Sequence, residues 1–222
     1  MKIDDPNYPH LVSFPRCGSH WIRSLIEIYF KNKDKNEFQF RNAKYFKCNH
    51  VHDMDLSYKL YDVIYLYRNP FDVIYSSMCY YKFDLKNMNK IDGLIKQYCD
   101  NILKWMYNED FTKKKTIITY ENMLETPHEE FSKICNHFGE VFDKERFDKI
   151  GKVSKEFIKS RTTYDKKIIN ISENYDSKKE QFREEYEKHI LHRVHFYNNH
   201  LSTLFEKQIN KVLGDELKDG NS

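Results

Sequence analysis

Three short clusters in this chain carry residue types suited to holding an anion at the ends of strands. The first is Arg16-Cys17-Gly18-Ser19-His20. It follows an apolar run, Leu11 to Phe14, that Pro15 closes. It precedes Trp21, Ile22, Leu25, Ile26, Ile28, Tyr29 and Phe30, which recur at helical spacing. The order reads as strand, loop, helix, with the loop at the helix N-terminus, where unbonded backbone N–H groups and the positive end of the helix dipole favour an anion. Gly18 permits close backbone approach, Ser19 offers a hydroxyl, and Arg16 offers a fixed charge. A capped turn that binds nothing would have the same outline. The GxxxxGK(S/T) pattern of a Walker loop is absent. The second cluster, Arg68-Asn69-Pro70, ends the run Asp62-Val63-Ile64-Tyr65-Leu66-Tyr67, and the third, Tyr120-Glu121-Asn122-Met123, ends a strand read over Lys115 to Tyr120. Between the first two clusters stand His50 and His52, which could be ordinary loop histidines.

The elements that must position these residues can be read from the apolar pattern. Asp62 to Tyr67 is a continuous β-rich run, as expected of a strand buried on both faces. Pro70 suits the first turn of a helix through Asp72, Ile74, Met78 and Tyr81. Phe38 to Phe46 has room for a strand. Ile91 to Tyr107 reads as one amphipathic helix. Thr126 caps a helix from Pro127 to Phe138, which Gly139 stops. Short helices are expected over Phe142–Ile150 and Ser154–Lys159, and an ordered loop over Arg161–Tyr175. Ser177 to Leu213 is helical in pattern, with a break near Asn198-Asn199 and an end at Gly214. Strands alternating with helices predict an α/β fold with a mostly parallel sheet flanked by helices. Ligands in such sheets lie beyond the carboxyl ends of the strands, where all three clusters fall.

Bulk properties narrow the class. The 222 residues can build one sizeable core, so one domain, residues 1–214, with a polar tail over 215–222, is the expectation. The 37 basic and 34 acidic residues nearly cancel, which argues against a nucleic-acid partner. The 5 cysteines include no CxxC pair and suggest neither a disulfide framework nor a zinc ribbon. No apolar run is long enough for a membrane span, and the start of the chain is polar, so a cytoplasmic location is expected. Asn170-Ile171-Ser172 matches a glycosylation sequon, which has meaning only on a secreted chain.

Taken together, Phe14 to Trp21, Tyr67-Arg68-Asn69-Pro70-Phe71-Asp72-Val73-Ile74-Tyr75-Ser76 and Thr119 to Met123 resemble the PAPS-dependent sulfotransferases, and in particular their bacterial members. The resemblance covers roughly the first two-thirds of the chain. It implies a P-loop-like three-layer sandwich and transfer of a sulfuryl group from 3′-phosphoadenosine 5′-phosphosulfate (PAPS) to a hydroxyl or amine, releasing PAP. Arg16, Cys17, Gly18, Ser19 and His20 would cradle the 5′-phosphosulfate, with Trp21 and Tyr120 near the adenine. Arg68 and Ser76 would hold the 3′-phosphate. The family's base is a histidine between the first two segments. His52 is preferred, because His52-Asp53-Met54-Asp55-Leu56 resembles the histidine–aspartate segment of bacterial members, with His50 second. Arg16 stands where cytosolic members often carry lysine, and it would stabilise the leaving phosphate without donating a proton.

The transferring sulfuryl group carries less charge than a phosphoryl group, so no metal is expected. The acceptor would be a small molecule or a glycan, and the chain a monomer or homodimer. The C-terminal Arg-Lys-Gly and Gly-x-Trp-Lys pattern of cytosolic members is absent, leaving Arg161, Lys166 or Lys167 to serve there. Alternatives are a P-loop-like kinase and a catalytically silent PAP-binding protein.

Other features are set aside. His189, His192 and His195 drift around a helix face and, with His200, lack a HExxH pattern, so no metal site is expected. Tyr80-Tyr81-Lys82-Phe83 could wall an acceptor pocket or be core. Lys113-Lys114-Lys115 and Lys178-Lys179 read as solvated faces. Cys17, at a helix N-terminus, could have a lowered thiol pKa, with His20 as its base.

Overall fold

A computed structural model describes residues 6–31, 47–110, 112–150 and 175–219. The chain divides into two compact units, Met1–Arg68 with Trp105–Thr162, and Asn69–Lys104 with Thr163–Ser222. The first unit contains the sheet. Its strands are β1 (His10–Ser13), β2 (Asn49–Val51), β3 (Asp62–Tyr67) and β4 (Lys114–Thr119), in the order β2-β1-β3-β4 and all parallel. β1 and the interior of β3 are wholly buried, the state their continuous apolar runs require. This is the α/β, mostly parallel, P-loop-like architecture expected from the alternating pattern.

The register decides where chemistry can occur. Val12 pairs with Val51 and Tyr65, and Tyr67 pairs with Thr119. The carboxyl ends of all four strands therefore lie on one edge, and the segments leaving them, 14–18, 52–56, Arg68 and Tyr120, start side by side.

Helix α1 (Ser19–Lys31) follows β1 and buries Ile22, Leu25, Ile26 and Tyr29. It also buries Glu27, whose Oε1 accepts the backbone N–H groups of Lys47 at 2.7 Å and Cys48 at 3.4 Å. That carboxylate ties the start of β2 to the middle of α1. α4 (Tyr120–Glu125) follows β4 directly, and α5 (Pro127–His137) returns along the sheet. At the amino edge of the sheet, His137 Nε2 lies 2.6 Å from Asp62 Oδ1, and its Nδ1 lies 2.8 Å from Thr116 Oγ1. Residues 144–150 form α6.

In the second unit, α2 (Pro70–Tyr80) starts with Pro70, and Asn69 Oδ1 accepts the Phe71 N–H at 2.9 Å, a cap the Arg-Asn-Pro sequence provides. α3 (Met88–Ile102), α7 (Tyr175–Tyr197), α8 (Asn199–Leu204) and α9 (Glu206–Asp219) complete it. Phe71, Tyr75, Phe182 and Tyr186 pack ring to ring, Arg183 lies over Phe71, and Lys179 pairs with Asp72 at 2.6 Å.

Three sequence expectations change. The helix read to Tyr107 ends at Ile102, and Leu103–Tyr107 is a π-helical turn. The break at Asn198 is present, but α9 runs through Gly214 to Asp219, so the polar stretch after 214 begins as helix. Tyr120 is the first residue of α4 rather than a strand end, because the Thr119 side chain accepts the Asn122 N–H. The strand expected over Phe38–Phe46, the short helix at Ser154–Lys159 and nearly all of the loop read at Arg161–Tyr175 lie outside the described residues.

Candidate active site

The loop between β1 and α1 is shaped by two residues with positive φ, Arg16 at 72° and Gly18 at 91°. The first is a conformation that non-glycine residues adopt at a cost, and such strain concentrates at functional turns. The Gly18 carbonyl accepts the N–H groups of Trp21 at 3.0 Å and Ile22 at 3.2 Å and so starts α1. No acidic residue stands in the first turn of this helix, which keeps its positive end uncompensated.

Tyr120 joins the three clusters. A Cβ on Gly18 would lie 2.5 Å from both Cδ2 and Cε2 of the Tyr120 ring. The Arg68 guanidinium lies 4.2 Å from the ring centroid, and the Trp21 ring meets it edge-on at 5.6 Å. Arg68 Nη1 also donates to the Arg16 carbonyl at 3.3 Å. The ends of β1, β3 and β4 are thus bound together through one aromatic ring. Behind Tyr120, the buried Glu130 accepts the Thr119 N–H at 2.7 Å and pairs with Lys133 at 2.6 Å, which fixes the start of α4. Gly18→Ala should therefore lower the thermal unfolding midpoint, the left-handed backbone alone costing about 1–3 kcal/mol. Calorimetry on Gly18→Ala, Tyr120→Ala and the double variant tests this. The double variant should recover part of the loss, because its clash is gone, and strict additivity would refute the contact.

Beside this cluster, His50 lies on β2 and His52 directly follows it, with ring centroids 4.5 Å apart. His20 stands 6.0 Å from His50. His52 Nδ1 lies 3.0 Å from the Ser13 carbonyl. A carbonyl only accepts, so Nδ1 carries the proton and Nε2 is the basic nitrogen. Burial depresses the His52 pKa below its ordinary 6.5; the Ser13 bond works against that and the Arg16 charge adds to it. His50 is pushed well below 6.5, chiefly by burial and then by His52, His20 and Arg23. Both rings are neutral near pH 7, the state a proton acceptor needs.

The remaining predicted residues fall as follows. Ser19 is buried at the start of α1, and His20 is exposed. The side chain of Cys17 is fully buried, and burial pushes its thiol pKa up although Arg68 pulls the other way. A lowered, reactive thiol at this helix terminus is thereby corrected: desolvation outweighs the dipole. Ser76 is buried in the second turn of α2, in the other unit. Arg161, Lys166 and Lys167 lie outside the described residues. Among the described residues no group of three or more His, Cys, Asp or Glu is arranged to hold a metal, and no helix is long and apolar enough to cross a membrane. The sequence shows Asp53 only within the segment that begins at His52, and Trp105 only within a helical pattern. Asp53 is buried and accepts the indole Nε1–H of the buried Trp105 at 2.9 Å and the Tyr58 N–H at 3.0 Å. Nothing in the sequence links Asp53 to Trp105.

A family model for the sulfotransferase domain matches residues 55–220. The chain belongs to the sulfotransferase family. The match holds the second and third clusters, while the Arg16 loop and the histidines precede it, so those segments rest on their own geometry. No curated protein matches the chain. Among solved structures, it resembles the crystal structure of mouse sulfotransferase SULT7A1 complexed with PAP, at 19% identity and a TM-score of 0.56, over 72% of this chain and 68% of that one. That likeness establishes a sulfotransferase fold.

Proposed function

We propose that this sulfotransferase moves the sulfuryl group of PAPS to a hydroxyl or amine of a small-molecule or glycan acceptor. The observation that carries the reading is the joining of three strand ends around Tyr120, with Arg68 and the Arg16 loop on it and a tautomer-fixed His52 alongside. The nucleotide lies along this edge. Gly18, Ser19, His20 and the Cys17 backbone face the 5′-phosphosulfate, with Arg16 supplying charge. Trp21 and Tyr120 flank the adenine. Arg68 takes the 3′-phosphate.

The step is an in-line displacement. The acceptor oxygen or nitrogen attacks sulfur as His52 Nε2 takes its proton, and the bond from sulfur to the bridging oxygen breaks, leaving PAP. Arg16 and the helix N–H groups stabilise the charge that grows on the leaving phosphate, which is where preorganised donors lower a barrier most. His50 is the second candidate for the proton.

Thermal-shift measurements with PAP, AMP and ATP test the donor site. PAP should raise the unfolding midpoint most, since only it carries both phosphates. An equal response to all three, or a magnesium-dependent preference for ATP, would refute the assignment. Labelled PAPS with a panel of phenols, alcohols, amines and sugars then tests transfer itself. Tight PAP binding without transfer to any acceptor would mark a silent binding protein.

A further inference from the structure

We propose that Asp53, clamped by Trp105, is a positioning residue of the transfer, holding the His52 imidazole at the angle from which Nε2 reaches the acceptor. The inference rests on the reading of His52 as the base. Asp53 immediately follows His52 and has φ of 43°, a left-handed conformation that aspartate tolerates better than most residues. Leu56, three residues on, is left-handed as well, at 58°. The chain therefore turns sharply as it leaves β2, and this turn sets the direction of the His52 side chain.

The Asp53 carboxylate holds the turn through both of its oxygens. Asp53 Oδ2 accepts the Trp105 indole N–H and Oδ1 accepts the Tyr58 N–H. Asp53 is 3% exposed and Trp105 is 0% exposed. Burying a carboxylate against N–H donors has a desolvation cost, and a buried indole needs an acceptor. Each group meets the other's requirement. Trp105 sits in the π-helical turn Leu103–Tyr107, an irregularity that re-aims side chains and recurs at functional sites. On its other side, the His52 ring is held by the Ser13 carbonyl. The imidazole is thus fixed from β1 through Nδ1 and from the Trp105 segment through the backbone. The charged and titratable groups near it include Asp53 itself, Arg16 and His50, with His20 and Arg23 beyond His50. A carboxylate that acts this way orients a proton acceptor without touching substrate.

The experiment compares Asp53→Asn, Trp105→Phe and their combination in the full chain, reading kcat, PAP affinity and the His52 tautomer. The tautomer is read from long-range proton–nitrogen correlation spectra of histidine-labelled protein. Asparagine keeps the shape but can accept only one of the two N–H groups. Phenylalanine removes one donor and leaves the carboxylate in place, so it serves if the first variant folds poorly. Each single variant should lower kcat about tenfold or more, with PAP affinity held within about twofold, since a small misaim at the reacting centre is costly. The His52 signal should pass from the single Nδ1–H form to a mixture. The double variant should lose little beyond the worse single one. Unchanged kcat with an unchanged tautomer, or a loss of PAP affinity as large as the loss of kcat, would overturn the proposal. A His52→Ala arm separates the two readings. Full activity there removes the base, while the tautomer still reports whether Asp53 orients the ring.

Discussion

Replacing His52 with alanine should reduce kcat by about a hundredfold to ten-thousandfold, the range general bases supply, while the Kd for PAP moves by no more than a few-fold. The ring's Nδ1 is committed to the Ser13 carbonyl, so substitution removes the proton acceptor without removing a phosphate contact. Steady-state kinetics at saturating PAPS, paired with calorimetric titration of PAP, separates the two effects. His50→Ala should cost less. Should His52→Ala keep full activity and His50→Ala lose it, the base passes to the other ring; should both remain active, the proton acceptor lies elsewhere. The acid limb of the wild-type pH profile carries the same information. A base works when deprotonated, and burial lowers the His52 pKa below 6.5. Activity should therefore persist below the pH at which an ordinary histidine would fail, and then fall. Loss of kcat beginning above pH 6.5 would contradict a buried neutral base.

Arg68→Ala should weaken PAP binding by about a hundredfold and AMP binding by only a few-fold. A charge-assisted hydrogen bond contributes about 1.5–3 kcal/mol, and a guanidinium can make two to one phosphate. AMP lacks the phosphate that Arg68 is proposed to hold, so its smaller loss reports only what Arg68 does for the loops. That contribution exists, because Arg68 lies on Tyr120 and donates to the Arg16 carbonyl. Arg68→Lys should fall between, since it keeps charge but not the planar stack. Competition binding of PAP and AMP to the three proteins decides the matter. Equal losses for both nucleotides would mean that Arg68 organises the edge and does not read the 3′-phosphate.

Much of this edge was legible because parallel strands announce themselves. Val63 to Tyr67 is an unbroken apolar and aromatic run, and Pro70 marks the start of the next helix, so β3, Arg68 and α2 fall where their residue types require. The family resemblance rested on the same residues. β2 was invisible for the opposite reason. Asn49-His50-Val51 is short and polar, and it is a strand only because β1 offers a partner and Glu27 accepts the N–H groups that lead into it. The contact of Gly18 with Tyr120 is equally hidden: a sequence shows that glycine can adopt φ of 91° but not which ring will lie against it. Periodicity misled at α3, because Leu103, Trp105 and Met106 continue the apolar pattern through the π-helical turn. At Gly214 the general penalty for glycine in a helix, about 1 kcal/mol, was too small to stop α9.

The carboxylate of Glu27 has one more implication. Of the described strands, β2 is the shortest and pairs with only one neighbour, β1. Segments of that kind open locally far more often than the whole domain unfolds. Each such opening would carry His50 and His52 away together while Arg68 and Tyr120 stayed in place. On the proposed function, the bonds that Glu27 accepts from Lys47 and Cys48 would act as a latch on that opening.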